Sequence, residues 1–263
     1  MINRFEILCK GWWPPQNMNV KILQEHAHLP EELVHERKIF WQQKQEENSM
    51  LFNGILASLQ SWSIENDTLK LNIGETCYRD LLFSNRMASQ WKHENTAYFS
   101  RALGISAIVQ TSDDKIVLMQ RSHIVGEYPN MLDVMGGHID VETGFSSFTP
   151  QQVFDAIARE VCDEIGLACN ELEISHCLGL LENTAIQKPE LVFESRTECN
   201  EGDIRNRMKN ATENFEYSTL IFIDSNGDSL DKYLAKNGRN FTPSAEGCLV
   251  LFLDLLKSKN GRE

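Results

Sequence analysis

Three carboxylates fall within one helical turn of the segment 159–167, which reads R-E-V-C-D-E-I-G-L. Glu160 precedes Asp163 by three residues and Glu164 by four, so a helix would project all three side chains from one face. Carboxylates at this spacing repel one another, and clustered carboxylate oxygens suit a hard divalent cation such as Mg²⁺. The segment therefore predicts a metal-binding helix. The alternative is an amphipathic helix with a solvated acidic face.

A glycine pair, Gly136 and Gly137, precedes this segment, and paired glycines allow a backbone to approach a ligand closely. Between the glycines and the acidic segment, the residues T-P-Q-Q mark the start of a helix. Thr149 suits the N-cap, Pro150 the first helical position, and Gln152 the third position, where its side chain completes a capping box. The sequence therefore predicts a loop after the glycine pair and then a helix that begins at Pro150.

The acidic segment resembles the second half of the Nudix hydrolase box, whose pattern is G-x5-E-x7-R-E-U-x-E-E-x-G-U, with U aliphatic. Asp163 replaces one glutamate of that pattern. The first half departs from it, because Phe145 and Gln151 stand where the box has Gly and Glu. Gly137 precedes Arg159 by 22 positions rather than 14, so we expect eight additional residues before the helix, within 139–148.

Composition favours an enzyme that acts on a small molecule. The chain has 263 residues and a formal net charge of −13, which argues against a broad surface for nucleic acids, because their phosphate backbones require clustered Lys and Arg. A small anionic substrate would instead need a metal ion and a few local cations. The N-terminal residues mix charged with apolar side chains, unlike a signal peptide, and no segment reaches the length of a membrane span.

Seven cysteines without regular spacing predict reduced thiols, which are typical of an intracellular, cytoplasmic protein. Cys162, Cys169 and Cys177 contain no C-x2-C pair, so their spacing argues against a zinc site. The sequence leaves the oligomeric state open.

Two regions separate near residue 100. Before it, the pattern predicts a strand at 5–9, a helix at 30–47 and a hairpin of strands at 62–64 and 68–73. After it, the pattern predicts a hairpin of strands at 105–110 and 115–120, a strand at 132–135, later strands at 176–181, 190–195 and 219–224, and a final helix at 244–257. Strands with helices on both sides predict an α/β sandwich.

Five further motifs extend the resemblance along most of the chain. They are L-F-N-G from residue 51, T-C-Y-R-D from 76, Q-R-S from 120, L-D-V-M-G-G-H from 132 and P-S-A-E-G from 243. In this order they resemble the UDP-glucose diphosphatase branch of the Nudix hydrolases. The resemblance implies a small N-terminal α+β domain at residues 1–100, packed on a Nudix α/β/α sandwich at residues 101–263. It also implies Mg²⁺-dependent cleavage of UDP-glucose or UDP-galactose to UMP and hexose 1-phosphate, with Mn²⁺ as an alternative ion.

This chemistry assigns catalytic and metal-binding roles. We expect Glu160 and Glu164 to bind the metal directly, Asp163 to bind it directly or through water, and the Gly136 carbonyl to act as a backbone ligand. Arg159 would brace the carboxylates, because a guanidinium can bind them bidentately; a surface salt bridge is the alternative. The general base would be Glu190 or Glu216, each beside a predicted strand, or else Glu160.

The remaining candidates are substrate contacts. Aromatic rings can stack on uracil, Arg can bind the diphosphate, and Asp or His can hydrogen bond to sugar hydroxyls. Ser244 either contacts the ligand or caps the last helix. The predicted substrate-binding residues are Phe52, Tyr78, Arg121, Gly126, Asp133, His138, Asp140 and Ser244.

Two other functions stay open at this stage. The first is a Nudix hydrolase for another nucleoside diphosphate, such as ADP-ribose. The second is a Nudix-fold sensor that binds a nucleotide without cleaving it. A pure binding protein has no need of a repulsive acidic helix face, so the pair Glu160 and Glu164 disfavours the sensor. In every case the expected partner is a small molecule, with no nucleic acid and no membrane.

Overall fold

The computed structural model describes residues 3–23, 29–49, 51–91 and 96–260. The described strands and helices are, in chain order, β1 (Phe5–Trp13), β2 (Met18–Ile22), α1 (Glu31–Glu47), β3 (Ile55–Glu65), β4 (Thr68–Cys77), α2 (Tyr78–Trp91), β5 (Gly104–Gln110), β6 (Lys115–Arg121), β7 (Leu132–Asp133), β8 (Met135–His138), α3 (Pro150–Ile165), β9 (Leu172–Asn183), β10 (Lys188–Thr197), α4 (Glu201–Arg207), β11 (Tyr217–Asp224), α5 (Gly227–Asn237) and α6 (Pro243–Asn260).

The larger sheet has the order β1-β9-β10-β5-β6-β11, with β7 paired to β6 and β8 paired to β5. Every residue of the central strand β5 is buried, and alternate side chains point to opposite faces. Ile105 packs in the same core as Ile157 of α3, whereas Ile108 packs in the same core as Leu249 of α6. Helices therefore cover both faces of the sheet, which confirms the predicted α/β/α sandwich.

A smaller sheet, in the order β2-β4-β3, comes from the region before residue 100. The predicted hairpin is present, and its two-residue turn places Asn66 and Asp67 at φ 50° and 59°, the positive values that favour tight hairpins. Strand β1, however, pairs with β9 in the larger sheet. The division into domains at residue 100 therefore stays a prediction.

The predicted hairpin of strands 105–110 and 115–120 is wrong in its pairing. Strands β5 and β6 pair only at Gln110 and Ile116 before they diverge. The strand predicted at 132–135 is in fact two short strands that fill this gap: β7 pairs with β6, and β8 pairs with β5. The divergence brings the glycine pair of β8 into the sheet beside Ile105.

The predicted start of α3 is confirmed. The Thr149 hydroxyl accepts a hydrogen bond from the Gln152 backbone N–H, and the Gln152 side chain completes the capping box. The additional residues before α3 form a loop that packs on the smaller sheet, where the Gly144 N–H donates to Glu75. Of the described helices, none combines the length and hydropathy needed to cross a membrane.

Gly136 has a φ of 155°, and a Cβ atom at this position would lie 2.1 Å from the Ile105 carbonyl oxygen. Because that oxygen belongs to a buried strand, Gly136→Ala should lower the free energy of unfolding by about 3 kcal/mol or more. Gly144→Ala is the matched control. Its φ is 69°, but the added Cβ meets no described atom within 4 Å, so backbone conformation alone should cost about 1–2 kcal/mol. Urea denaturation of both variants tests this, and equal losses would contradict the proposed steric constraint.

Candidate functional site

A cavity of about 680 Å³ opens beside the glycine pair. Its walls combine residues from the region before residue 100 with residues of β5 to β10 and the start of α6. Twelve of the predicted site residues line it: Phe52, Tyr78, Arg121, Gly126, Asp133, Gly136, His138, Asp140, Glu160, Glu190, Glu216 and Ser244. Arg159, Asp163 and Glu164 are outside the set of described residues that line the cavity.

The glycine pair lets α3 approach β8 closely. The Gly136 N–H donates to Glu164 Oε2 at 3.0 Å. A Cβ on Gly137 would lie 2.5 Å from Glu160 Oε2, so any other residue there would displace that carboxylate. Glu164 is 1% exposed, and its Oε1 has no hydrogen-bond partner among the described residues. Two carboxylates of α3 thus lie next to the glycine pair. Glu160 lines the cavity, whereas Glu164 is outside the described cavity lining.

Burial and mutual repulsion raise the pKa values of this group. Burial first, and then the charges of Glu213 and Asp140, raise the pKa of Glu160 to about 8. Burial, followed by the charges of Glu216 and Glu160, raises the pKa of Glu164 well above its usual range. Burial also raises the pKa values of Asp140, Glu213 and Glu216. We call these five residues the acidic group.

The acidic group fits the chemistry of a hard cation. Within the described ranges, no three His, Cys, Asp or Glu side chains already surround a common point as metal ligands do. The unpartnered oxygen of Glu164 and the raised pKa values nevertheless show carboxylates that lack a counter-charge. Oxygen-rich, partly buried carboxylates are the donors that Mg²⁺ prefers. Assignment of the ion to Glu160, Glu164, Asp163 and the Gly136 carbonyl stays a prediction.

Two predicted residues of α3, Arg159 and Asp163, are outside the described cavity lining. Arg159 is exposed and has no ion pair within 4.0 Å among the described residues, although its charge lowers the pKa values of Asp140 and Glu160. The backbone carbonyl of Asp163 accepts a hydrogen bond from the Glu213 N–H at 3.1 Å. Through this bond, the end of α3 positions the loop that carries Glu213.

Arg121 lies in the cavity wall and is held by Asp133. Arg121 Nη1 donates to Asp133 Oδ2 at 2.9 Å, and Arg121 Nε donates to the Glu127 carbonyl oxygen at 3.0 Å. Asp133 Oδ1 accepts from the Thr242 hydroxyl at 2.9 Å and from the Val134 N–H at 3.0 Å. Both oxygens of Asp133 are thus engaged. Asp133 therefore positions Arg121, and its contact with sugar hydroxyls stays a prediction.

A second charged group lies deeper in the cavity. Lys188 Nζ contacts Glu127 Oε2 at 3.0 Å, and Asn85 Nδ2 donates to Glu127 Oε1 at 2.8 Å. Burial opposes ionisation of Glu127, but the charge and hydrogen bond of Lys188, together with the charges of His138 and Arg121, outweigh burial, so the pKa of Glu127 falls to about 2. Burial, and then the charge of Lys188, lower the pKa of His138 to about 3, so its imidazole is neutral at pH 7.

Glu190 is 5% exposed and lies on β10 next to β5. The Ser106 hydroxyl donates to its Oε1, whereas Oε2 has no hydrogen-bond partner within the described part of the chain. Burial raises the pKa of Glu190 despite the nearby charge of Lys188. Ser244 lines the same cavity, and its alternative role as a helix cap is wrong, because the Thr242 hydroxyl accepts from the Ala245 N–H.

Apolar side chains surround the mouth of the cavity. Phe52 is 77% exposed, Ile124 59% and Phe215 56%, and all three line the opening. Tyr78 is more deeply set, and its hydroxyl oxygen lies 2.7 Å from where a Cβ on Gly126 would be. Because Gly126 has no side chain, the Tyr78 hydroxyl group can lie against it.

Sequence reasoning missed several cavity residues, namely Ile124, Glu127, Lys188, Glu213 and Phe215. Four of them come from the loops that follow β6 and precede β11, where no periodic pattern constrains the side chains. Proximity along the chain was the available signal, since Glu213 and Phe215 flank Glu216, and Lys188 is two residues from Glu190.

The raised pKa of Glu160 predicts a pH dependence of stability. Folding raises this pKa from 4.5 to about 8, so the folded state holds the proton more tightly. The resulting stabilisation is complete below pH 4.5 and is lost as the pH rises to about 8. For one group the loss is at most about 1.4 kcal/mol per pH unit.

The test is urea denaturation in a chelator between pH 6.5 and 8, where His138 is already neutral. The free energy of unfolding should fall more steeply with pH for the wild type than for Glu160→Gln. Asp155→Asn, an exposed position on the same helix, should keep the wild-type slope. Parallel curves for the wild type and Glu160→Gln would contradict the electrostatic account of this site.

Comparisons with known proteins agree with these features. No family model matches the chain. The chain is 26% identical to Nudix hydrolase 9 of Arabidopsis thaliana over 299 aligned residues, covering 99% of this chain and 94% of that protein. It is 25% identical to uridine diphosphate glucose pyrophosphatase NUDT22 of Mus musculus over 239 aligned residues, covering 81% of this chain and 77% of that protein. Among solved structures, the MutT protein of Methanosarcina mazei Go1 aligns with a TM-score of 0.40 and 17% identity, covering 60% of this chain and 94% of that one.

The two sequence relatives align with this chain well beyond the acidic helix. For Nudix hydrolase 9, the similarity therefore includes the smaller sheet and the cavity walls as well as the glycine pair and α3. On these grounds the chain resembles the Nudix hydrolases, adopts their α/β/α sandwich and, within that family, resembles the UDP-sugar diphosphatase branch.

Proposed function

We propose that this chain hydrolyses the diphosphate of a UDP-sugar, such as UDP-glucose or UDP-galactose, to UMP and hexose 1-phosphate in a Mg²⁺-dependent reaction. The observation that supports this most strongly is the composition of one cavity, which is lined by Arg121 and by four members of the acidic group, Asp140, Glu160, Glu213 and Glu216. A metal-binding carboxylate set and a guanidinium are the two components needed to bind and neutralise a diphosphate.

Each component has a distinct task. Glu160 and Glu164 would hold the ion, with Asp163 and the Gly136 carbonyl as further ligands. Mg²⁺, when bound, supplies charge neutralisation at the diphosphate oxygens and lowers the pKa of the attacking water. Arg121, fixed by Asp133, binds a phosphate oxygen through the donors that remain free.

Glu216 is the better-placed candidate for the general base. Its charge raises the pKa values of both Glu160 and Glu164, so it lies close to the metal-binding carboxylates. Its own pKa is raised by burial and moderated by Arg121, and a raised pKa favours proton acceptance. Glu190 is influenced chiefly by Lys188 instead.

The base and ribose would occupy the mouth of the cavity. Phe52 offers an exposed aromatic face, and base stacking requires such a face. Tyr78 lies behind it, so its contact with uracil would be through the ring edge or hydroxyl. Asp140, exposed at the rim, is placed to accept hydrogen bonds from ribose hydroxyls.

Hydrolysis of another nucleoside diphosphate, such as ADP-ribose, is the second candidate. The observation that favours it is the exposure of Phe52, because stacking alone accepts every base. A sensor without activity is disfavoured by the acidic group, whose repulsion lowers stability unless a cation is bound. Product identity separates the three functions.

The proposed reaction predicts a defined pair of products. With UDP-glucose, Mg²⁺ and ¹⁸O-labelled water, the products should be UMP and glucose 1-phosphate, with the label in one of the two phosphates. Glu164→Gln and excess chelator should each lower the rate by more than about 100-fold. Asp155→Asn on the exposed side of α3 should retain the wild-type rate.

Release of free glucose with UDP would contradict attack at phosphorus, because that product pair results from cleavage of the glycosidic bond. A preference for ADP-ribose over UDP-glucose in kcat/KM would support the second candidate. Tight nucleotide binding without any cleavage would support a sensor.

Stacking on Phe52 predicts a loss of affinity when the ring is removed. Phe52→Ala should weaken substrate binding by about 1–3 kcal/mol, which raises KM for UDP-glucose roughly 5- to 150-fold. Ile39→Ala is the matched control, because Ile39 is 43% exposed on α1 and is outside the described cavity lining. An unchanged KM in Phe52→Ala would exclude Phe52 from the base site.

A further inference from the structure

Two polar atoms without partners lie in the interior part of the cavity. Glu190 Oε2 and His138 Nε2 are both buried, and neither has a hydrogen-bond partner among the residues that the structure describes. His138 Nε2 is 3.9 Å from the nearest carboxylate oxygen, that of Glu127, which is beyond hydrogen-bond distance. Buried polar atoms are usually hydrogen bonded, so two such atoms in one cavity wall indicate a ligand that completes them.

The backbone and neighbouring side chains hold Glu190 rigidly. Strands β5 and β10 pair in parallel, and Glu190 lies opposite Gly104. A Cβ on Gly104 would lie 2.9 Å from Glu190 Oε2, so glycine is required to accommodate the carboxylate. With Oε1 fixed by the Ser106 hydroxyl, Oε2 has no hydrogen-bond partner among the described residues, and the Ser244 side chain lies near enough to lower the pKa of Glu190.

Glu190 belongs to a different part of the cavity from the acidic group. The charges that act most strongly on Glu160 are those of Glu213, Asp140 and Glu216. The charge that acts most strongly on Glu190 is that of Lys188. The geometry agrees, because Ser106, which binds Glu190, alternates along β5 with Ile105 and Ala107, whose side chains pack in the core that contains α3. Glu190 therefore lies on the other face of β5 from α3, near Lys188.

We infer that Glu190 and His138 form a hydroxyl-binding site for the sugar ring, and that Glu190 determines sugar specificity rather than serving as the general base. A carboxylate oxygen accepts hydrogen bonds from hydroxyl donors, and an imidazole nitrogen can hydrogen bond with a hydroxyl group. A pyranose ring presents adjacent hydroxyls that satisfy both. This inference rests on the proposed function, because it requires a sugar attached to the diphosphate.

The order of groups along the cavity matches the order of groups in a nucleotide sugar. Phe52 and Phe215 are exposed at the mouth, Arg121, Glu160 and Glu216 are intermediate in burial, and Glu190 and Ser106 are almost completely buried. A substrate with its base at the mouth and its diphosphate at Arg121 therefore extends its sugar toward Glu190. Lys188 provides a positive charge there that compensates the buried carboxylate.

The chain contains a matched control in Glu194. It lies four residues after Glu190 on the same strand, is also 5% exposed, and accepts a hydrogen bond from Gln110 of β5 at 3.1 Å. Unlike Glu190, it is outside the described cavity lining. Glu190→Gln and Glu194→Gln thus make the same chemical change in comparable buried surroundings, inside and outside the proposed sugar site.

The experiment compares UDP-glucose, UDP-galactose and the methyl ester of UDP. The methyl ester keeps the diphosphate diester but has no hexose. For Glu190→Gln, KM for UDP-glucose should rise at least tenfold with kcat within threefold of the wild type. The ratio of kcat/KM between the two hexoses should approach one, and the methyl ester should be cleaved as by the wild type. Glu194→Gln should change none of these quantities.

An equal fall in kcat on all substrates, with loss of the acidic limb of the pH–rate profile, would show that Glu190 is the general base and overturn the inference. Equal kcat/KM values of the wild-type protein for UDP-glucose and the methyl ester would also overturn the sugar-site inference, because the hexose would then contribute nothing to recognition. The proposed diphosphate hydrolysis would be unaffected by that result. Cleavage of none of the three substrates would instead reject the proposed function. If circular dichroism shows Glu190→Gln to be unfolded, His138→Gln provides the same comparison.

Discussion

The close approach of α3 to β8 is the constraint on which the site depends. Gly136 donates its N–H to the buried Glu164, and Gly137 leaves the space that the Glu160 carboxylate occupies. Neither contact is compatible with a Cβ atom on the strand. Because Ile105 of the central strand lies directly against Gly136, the position of the acidic helix is tied to the best-packed part of the larger sheet.

This packing places carboxylates where they are electrostatically unfavourable. Burial and like charge raise the pKa values throughout the acidic group, so folding stabilises the protonated forms. The free energy gained by burying the hydrophobic cores on both faces of the sheet offsets this local electrostatic cost. A bound cation would reverse it, since the ionised carboxylates would then have a counter-charge. Stability and metal binding are therefore coupled through the same side chains.

A second interaction links the cavity to the N-terminal region. Glu127 is held at one oxygen by Lys188 of β10 and at the other by Asn85 of α2. The loop after β6 consequently spans from the larger sheet to a helix that lies before residue 100. Its residues Ile124, Gly126 and Tyr128 all line the cavity, so this ion pair sets much of the shape presented to a substrate. A buried ion pair whose oxygens are hydrogen bonded fixes the conformation of its surroundings more reliably than it increases the net stability of the fold.

Local patterns in the sequence determined the elements and the chemistry of the site. The capping box at Thr149, the hydrophobic period of α3 and the carboxylate spacing within it all depend on residues less than two helical turns apart, so they could be interpreted without the fold. The glycine pair and twelve of the residues that line the cavity were also predicted from the sequence. Tertiary structure alone decided the partners: Asp133 is engaged by Arg121, Thr242 caps α6 in place of Ser244, and Glu190 stands apart from the acidic group. These outcomes depend on the divergence of β5 from β6 and on contacts between residues more than 80 positions apart, such as Ser106 with Glu190. They could not be predicted from the sequence, because no local periodicity specifies which distant side chains meet.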